Sequence, residues 1–376
     1  MLLVSDNYQK IYPPIVKAVL TILLAICFHH NMKAQEAIVG RETANGKRET
    51  APGIPGCRLN AARVGYRLPV TGYQGQNAGM PYSNKTFIDS GAGNLPPNKR
   101  VWLIAGAHVT AWTASYIALN KAWYDGFAKS DFHFFNDNHE WNQMDKAGHI
   151  WTAYRVSRLS AGLWKWAGLN GRKSAVLGGI SGLAYQSIIE IQDGFSSEWG
   201  FSWGDMAANF LGAATFVSQE LGWREQRFQF KLSYWAYDYN SPDLKNRRNQ
   251  LFGASLPERL LKDYNSQTYW LSANIASFLK NSKWPSWLNM AVGYSSNGML
   301  GGFGNQWTDK QGNIFDRADI HRERHFLLSP DIDLTKIHSG KKWVRTLLSI
   351  ANMVKIPAPA IGLGSKGKLK AYALYY

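Results

Sequence analysis

The chain has 376 residues, of which 45% are hydrophobic and 14% aromatic, so it carries enough apolar surface to offset the entropy of ordering a large core. This composition excludes disorder over most of the chain, and a mean hydropathy of -0.29 disfavours a polytopic membrane protein of the usual apolar kind. The formal net charge of +16 indicates an anionic partner.

The first 35 residues are predicted to be a signal peptide. Two lysines precede an apolar run over residues 18–28, and cleavage is expected near Ala34 or Gln35. A run of this length is short for a membrane span. An uncleaved anchor is one alternative. A lipoprotein signal ending at Cys27 is another, although Ile26 stands where such a signal normally has a small residue.

Export determines which anionic partner the basic chain would meet. Outside the cytosol the available polyanions are lipid phosphates and lipopolysaccharide, so we predict a membrane lipid or lipopolysaccharide surface, or a larger outer-membrane complex, and no nucleic acid. The alternative is that the charge merely aids solubility. Cleavage would leave Cys57 as the only cysteine, which excludes an intramolecular disulfide and a thiolate zinc site.

Residues 36–98 are predicted to form an irregular arm, because they are rich in Gly, Pro, Asn and Arg and show no sustained period. Residues 99–223 are predicted to form a helical bundle. Breaks at Gly, Asn or Asp separate four helices, expected over residues 101–123, 141–168, 172–191 and 203–223. Two of them contain uncharged stretches close to the length of a membrane span, so a membrane-associated bundle and a water-facing bundle both stay open.

Residues 224–376 are predicted to be a mixed region with strands and short helices. Alternating side chains predict strands within residues 227–239, 325–334 and 368–376. Residues 343–354 form an amphipathic pattern beside basic residues, which fits either a helix lying on an anionic surface or an ordinary core-facing helix. The predicted fold class is therefore α+β and mainly helical: a four-helix bundle with an irregular N-terminal arm and a C-terminal strand-containing region.

Five polar residues on otherwise apolar helices are the candidate site. Asp145 and His149 are four residues apart on the second helix, and Asp205 and Asn209 are four apart on the fourth. This spacing places each pair on one helix face. Glu190 lies near the end of the third helix. An unpaired carboxylate is costly to bury, so we predict that these five groups converge.

Convergence leaves two interpretations open. The groups could ligate a divalent cation or act as acid and base toward a lipid or glycan, or they could satisfy one another in a structural hydrogen-bond network. No cofactor is predicted from a motif, since neither HExxH nor a paired ExxH is present, and a divalent cation stays an alternative. His133 and His139, which flank Asp137 and Glu140 in the loop before the second helix, could extend the same cluster, although solvated loop histidines are the commoner outcome.

The segments DKAGH (145–149) and EIQDGFSSEWGFSWGDMAANFLGA (190–213) resemble the YfiM-like family of uncharacterised bacterial envelope proteins. A looser similarity extends to VanZ-like membrane proteins, although no Arg stands between Glu190 and Asp205 as it does in their pattern. Carried across by position, the resemblance marks Asp145, Lys146, His149, Glu190, Asp193, Trp199, Asp205 and Asn209. It implies an envelope protein but no particular activity.

The sequence thus predicts an exported envelope protein at the outer membrane, facing the periplasm, with a structural or interaction role. Two alternatives remain. One is an enzyme or binder that acts on an amphiphilic envelope lipid or glycan. The other is a polytopic inner-membrane protein of the VanZ-like kind.

Overall fold

The computed structural model describes residues 96–124, 128–279, 283–309 and 312–376. These residues belong to one compact unit. The predicted signal peptide, residues 1–35, and all of the predicted arm except residues 96–98 lie outside the described residues. The described part of the chain is α+β and mainly helical, which confirms the predicted class.

Four long helices occupy the first part of the described chain: α1 (Pro97–Leu119), α2 (Met144–Trp166), α3 (Gly171–Gly194) and α4 (Trp203–Gly222). Helices α2, α3 and α4 pack closely because small residues line their contacts. A β-carbon at Gly178 on α3 would lie 2.5 Å from the β-carbon of Ala161 on α2. Helix α1 lies along one side, where His108 stacks on Trp164. None of the described helices is both long enough and apolar enough to cross a membrane.

The C-terminal part contains a six-stranded antiparallel sheet in the order β1-β2-β3-β6-β7-β8. Each strand pairs with the next along the chain, except that a two-stranded ribbon, β4–β5, is inserted between β3 and β6. The strands are β1 (Phe228–Tyr234), β2 (Gln267–Ala273), β3 (Leu288–Asn297), β4 (Gln306–Thr308), β5 (Ile314–Asp316), β6 (Glu323–Ile332), β7 (Ala358–Gly364) and β8 (Leu369–Tyr375). The connections carry helices α5 (Pro242–Phe252), α6 (Leu256–Lys262) and α7 (Lys342–Ala351).

The buried face of the sheet carries polar side chains beside an apolar cluster of Trp270, Ala291, Leu327 and Ala360. On β1 the buried side chains are Gln229, Lys231 and Ser233, while the apolar residues between them are only half-buried. Lys231 pairs with Asp331 of β6 at 2.7 Å, and both side chains are fully buried. The hydroxyl of Tyr375 on β8 reaches Thr268 of β2 at 3.3 Å, so the sheet curls around these buried side chains.

The opposite face of the sheet is apolar and largely exposed. Strand register aligns one row across five strands: Phe230, Leu271, Val292, Leu328 and Ile361. Phe230 is covered by the bundle, where its ring meets Tyr154 of α2 at 5.5 Å. The other four side chains are 40–56% exposed. The bundle therefore leaves these four side chains exposed, although Tyr269 on the same face lies against Gly148 of α2. We call this side of the sheet the outer sheet face.

Candidate functional site

A left-handed turn sets the start of helix α2. Trp141, Asn142 and Gln143 have φ angles of 47°, 50° and 61°, a conformation that non-glycine residues rarely adopt. The sheet holds this turn in place. The Asn142 side chain donates to the Ser296 hydroxyl at 2.8 Å, and Arg324 donates to the Gln143 side chain at 2.9 Å. The first turns of α2, which carry Asp145 and His149, are thereby fixed against β3 and β6.

Helix α4 brings the other side of the site. Its N-cap, Ser202, accepts a hydrogen bond from the Asp205 backbone N–H at 3.1 Å. The same hydroxyl donates to Asp137 in the loop before α2 at 2.6 Å. A β-carbon at Gly204 would collide with the side chain of Asn138 from that loop, so the missing side chain allows this approach. The cap thus ties the start of α4 to the loop before α2.

Lys146 is the cationic centre of the cluster. Its ammonium lies 2.7 Å from Asp137 Oδ1, 2.7 Å from Asp205 Oδ1 and 3.5 Å from Asp145 Oδ2. These four side chains are all more than three-quarters buried, so their mutual interactions are only weakly screened by water. Tyr264, which follows α6, donates its hydroxyl to Asp145 at 2.7 Å. One lysine therefore holds three carboxylates together.

His149 lies between two groups of polar atoms. Its Nδ1 is 3.0 Å from the side-chain oxygen of Asn209 and 3.4 Å from Glu190 Oε1. Its Nε2 points the other way, 3.7 Å from Asp145 Oδ1 and 3.8 Å from Asp205 Oδ1. The ring thus connects α3 and α4 on one side with the Lys146 cluster on the other.

Burial and like charges change the ionisation of the cluster. Burial, reinforced by the charges of Asp193 and Asp145, raises the pKa of Glu190 far above its usual range. Burial and the charge of Asp145 also raise the pKa of Asp205. Burial raises the pKa of Asp193 to about 7, although Tyr124 donates a hydrogen bond to it. Without another cation, the cluster therefore keeps protons on carboxyl groups that are normally ionised at neutral pH.

The structure brings together all five residues that the sequence singled out. It adds Asp137 to them, whereas the described contacts of His133 stay within its own loop, with Ser130 and Asp131. Two hydroxyls were not predicted. Ser202 could have been suspected as a cap before an apolar helix, but Tyr264 is 119 positions from its partner Asp145 and gives no local signal. The donor atoms of Asp145, His149 and Asp205 all lie within 4.8 Å of one another.

A second candidate surface is helix α7. Trp343, Leu347 and Ile350 are spaced three or four residues apart on one side of this helix, and each is 51–62% exposed. The apolar stripe therefore does not face the described core. Lys341 and Arg345 are exposed beside it, which gives the helix the composition of one that lies on an anionic surface.

No curated protein and no solved structure matches this chain, so the narrower resemblances to YfiM-like and VanZ-like proteins stay predictions. A family model does match one part of the chain: helices α2 and α3, most of α4 and the loop that precedes α2. Residues 131–219 match the model of a family described as predicted periplasmic lipoprotein (DUF2279). This range contains Asp145, His149, Glu190, Asp205 and Asn209 but neither Tyr124 nor Tyr264.

Proposed function

We propose that this protein is an envelope protein that attaches to a lipid surface through its outer sheet face and helix α7, and that its role there is structural or interactive. The match to a periplasmic lipoprotein family supports an envelope location. The outer membrane, with the bundle facing the periplasm, is the membrane that we propose. The observation that carries the proposal is the exposed apolar row on the outer sheet face.

A sheet with one face in water normally exposes polar side chains and buries apolar ones. Here the fully buried pair Lys231–Asp331 lies on the inner face, and the exposed row of Leu271, Val292, Leu328 and Ile361 lies on the outer one. A contiguous exposed apolar surface of this kind marks a site of protein or membrane contact. Acyl chains suit it because the row continues over four strands without a charged residue.

Charge favours lipid over a protein partner. The chain carries 42 Lys and Arg against 26 Asp and Glu. On α7, Lys341 and Arg345 flank the exposed stripe of Trp343, Leu347 and Ile350. Basic residues beside a membrane surface are attracted by anionic headgroups, by about 1 kcal/mol each. An anionic bilayer therefore complements both the apolar stripe and its basic border.

Vesicle flotation tests the attachment. The full chain is mixed with phosphatidylethanolamine–phosphatidylglycerol vesicles and separated on a density gradient. Val292→Asp is expected to lower the partition coefficient about tenfold or more, because it places a charge in the acyl region and removes an apolar contact. Ile314→Asp is the matched control, since Ile314 is also an exposed β-branched residue on a strand, at 81% exposure against 56% for Val292. Equal flotation of both variants and the wild type would contradict the proposal.

A lipid anchor at Cys27, which the description of the matched family favours, would also hold the chain at a membrane. Cys27→Ser separates the two modes of attachment. If the outer sheet face is the attachment, the variant stays in the membrane fraction after an alkaline wash. Release of Cys27→Ser into the soluble fraction would show that acylation, and not the outer sheet face, holds the chain at the membrane.

A further inference from the structure

We propose that the bundle binds one divalent transition-metal cation between Asp145, His149 and Asp205. His149 Nε2 lies 3.7 Å from Asp145 Oδ1 and 3.8 Å from Asp205 Oδ1. Metal bonds to nitrogen and carboxylate oxygen are about 2.0–2.2 Å long, so two ligands of one cation lie at most about 4.2 Å apart. A cation therefore fits between these atoms with only small movements of the side chains.

The orientation of the His149 ring is that of a metal ligand. The side-chain oxygen of Asn209 faces His149 Nδ1 at 3.0 Å, and the amide nitrogen of Gln186 lies 3.0 Å from that oxygen and 3.4 Å from the same Nδ1. In a neutral ring whose Nδ1 donates to Asn209, Nε2 carries the lone pair. This lone pair points at two carboxylates that are too distant for hydrogen bonds. A cation between these three acceptors would satisfy all of them.

Glu190 supplies an independent observation. Its side chain is fully buried, and its Oε2 has no hydrogen-bond partner among the described residues. Its Oε1 lies 3.4 Å from His149 Nδ1, so the carboxylate is aimed at the back of the ring. The side chain of Asn209 at Nδ1 fixes the ring, and a negative charge on Glu190 behind it would attract a cation to Nε2. A cation on Nε2 would therefore explain an otherwise costly buried acid.

The charge balance points the same way. Asp137, Asp145 and Asp205 surround Lys146, and Glu190 is buried behind His149, so the cluster holds four carboxyl groups and one lysine. Lys146 occupies Asp205 Oδ1 at 2.7 Å, which makes it the competitor of the metal for that ligand. One imidazole with carboxylates and no thiolate suits Mn²⁺ or Zn²⁺.

Calorimetric titration of the full chain, freed of metal with a chelator, tests the site with Zn²⁺ and Mn²⁺ as probes. One equivalent is expected to bind, and His149→Gln is expected to weaken the affinity by about tenfold or more. His108→Gln is the control, because His108 is also a buried bundle histidine but bonds to Ser160 and stacks on Trp164. Absence of saturable binding by the wild type, or an equal loss in both variants, would overturn the proposal.

Lys146→Met keeps the proposal falsifiable if the histidine variant fails to fold. Removing the competing ammonium leaves the carboxylates uncompensated, so the metal-free variant should melt at a lower temperature than the wild type. Added Zn²⁺ or Mn²⁺ should then raise its melting temperature by more than it raises that of the wild type. A melting temperature of Lys146→Met that does not change with metal would show that the cluster is a structural ion-pair network.

Discussion

Lys355 is a buried lysine that packs against the inner face of the sheet. Its ammonium lies 4.5 Å from the centre of the Trp270 ring and donates to the Ile356 carbonyl. Burial lowers its pKa to about 8. The charge of Lys231 lowers the pKa further, whereas the charge of Asp331 raises it. An exposed lysine in the unfolded chain has a pKa of about 10.4. Between about pH 8 and about pH 10.4 the unfolded chain keeps a proton on Lys355 that the folded chain has lost, so the free energy of unfolding increases with pH.

Lys355→Met is expected to remove this part of the pH dependence. Relative to the wild type, the variant should be most stabilised below about pH 8, where the wild type holds a buried charge, and the difference should shrink toward pH 10. Thermal melts of both proteins at pH 7, 8, 9 and 10 measure it. A difference in melting temperature that stays constant over this range would show that Lys355 does not change its protonation on unfolding.

At the scale of elements, contact between α2 and α3 depends on glycine. A β-carbon at Gly178 would come within 2.5 Å of the Ser157 carbonyl oxygen as well as of Ala161, and a backbone atom cannot move aside cheaply. The close approach of these helices allows small side chains and little else at the crossing.

Gly178→Ala is therefore expected to lower the free energy of unfolding by about 1–3 kcal/mol, in spite of the better helix propensity of alanine. Gly106→Ala on α1 is the matched control. No described atom lies within 4 Å of its added β-carbon, so it should raise stability by about 0.5–1 kcal/mol. Urea denaturation measures both. Stabilisation by both substitutions would mean that α2 and α3 can move apart at the Gly178 contact without loss of stability.

The elements differ in how far the sequence predicts them. The bundle helices begin and end within a few residues of the predicted bounds, because local signals such as the Asn170 cap mark them. Strands β2, β3 and β7 were not predicted. Their small and polar residues face inward, and β7 contains Pro359 with two glycines, so the usual signal of apolar alternation is weak. The site was predictable because carboxylates on apolar helices need polar partners when they are buried. Tyr264, which donates to Asp145, was not predictable because it lies 119 positions away in the sequence.

At the scale of the whole molecule, Arg155 joins the bundle to the sheet. It is buried on α2 and donates to the carbonyls of Phe230 on β1 and of Asn352 just after α7. One side chain thus connects three regions that are far apart in the sequence. This arrangement predicts that bundle and sheet unfold together rather than in separate steps.

Arg155→Met should leave buried carbonyls without donors, at a cost of about 1–3 kcal/mol for each. Tryptophan fluorescence and far-ultraviolet circular dichroism should still give coincident transitions, shifted to lower denaturant. Arg158→Met is the control, because its acceptor, Gln229 Oε1, keeps a hydrogen bond from Asn352 at 2.7 Å. Transitions that separate already in the wild type would contradict a single cooperative unit.

The left-handed turn before α2 also bears on the order of events during synthesis. A left-handed conformation costs a non-glycine residue about 1–2 kcal/mol, and Trp141, Asn142 and Gln143 adopt it in succession. The contacts that offset this cost come from Tyr294, Ser296 and Arg324, which leave the ribosome much later. The bundle residues alone therefore do not supply the contacts that hold the left-handed turn at the start of α2. Asp145 and His149 reach their final positions only when strands β3 and β6 have been made, so a truncated product would lack an assembled cluster.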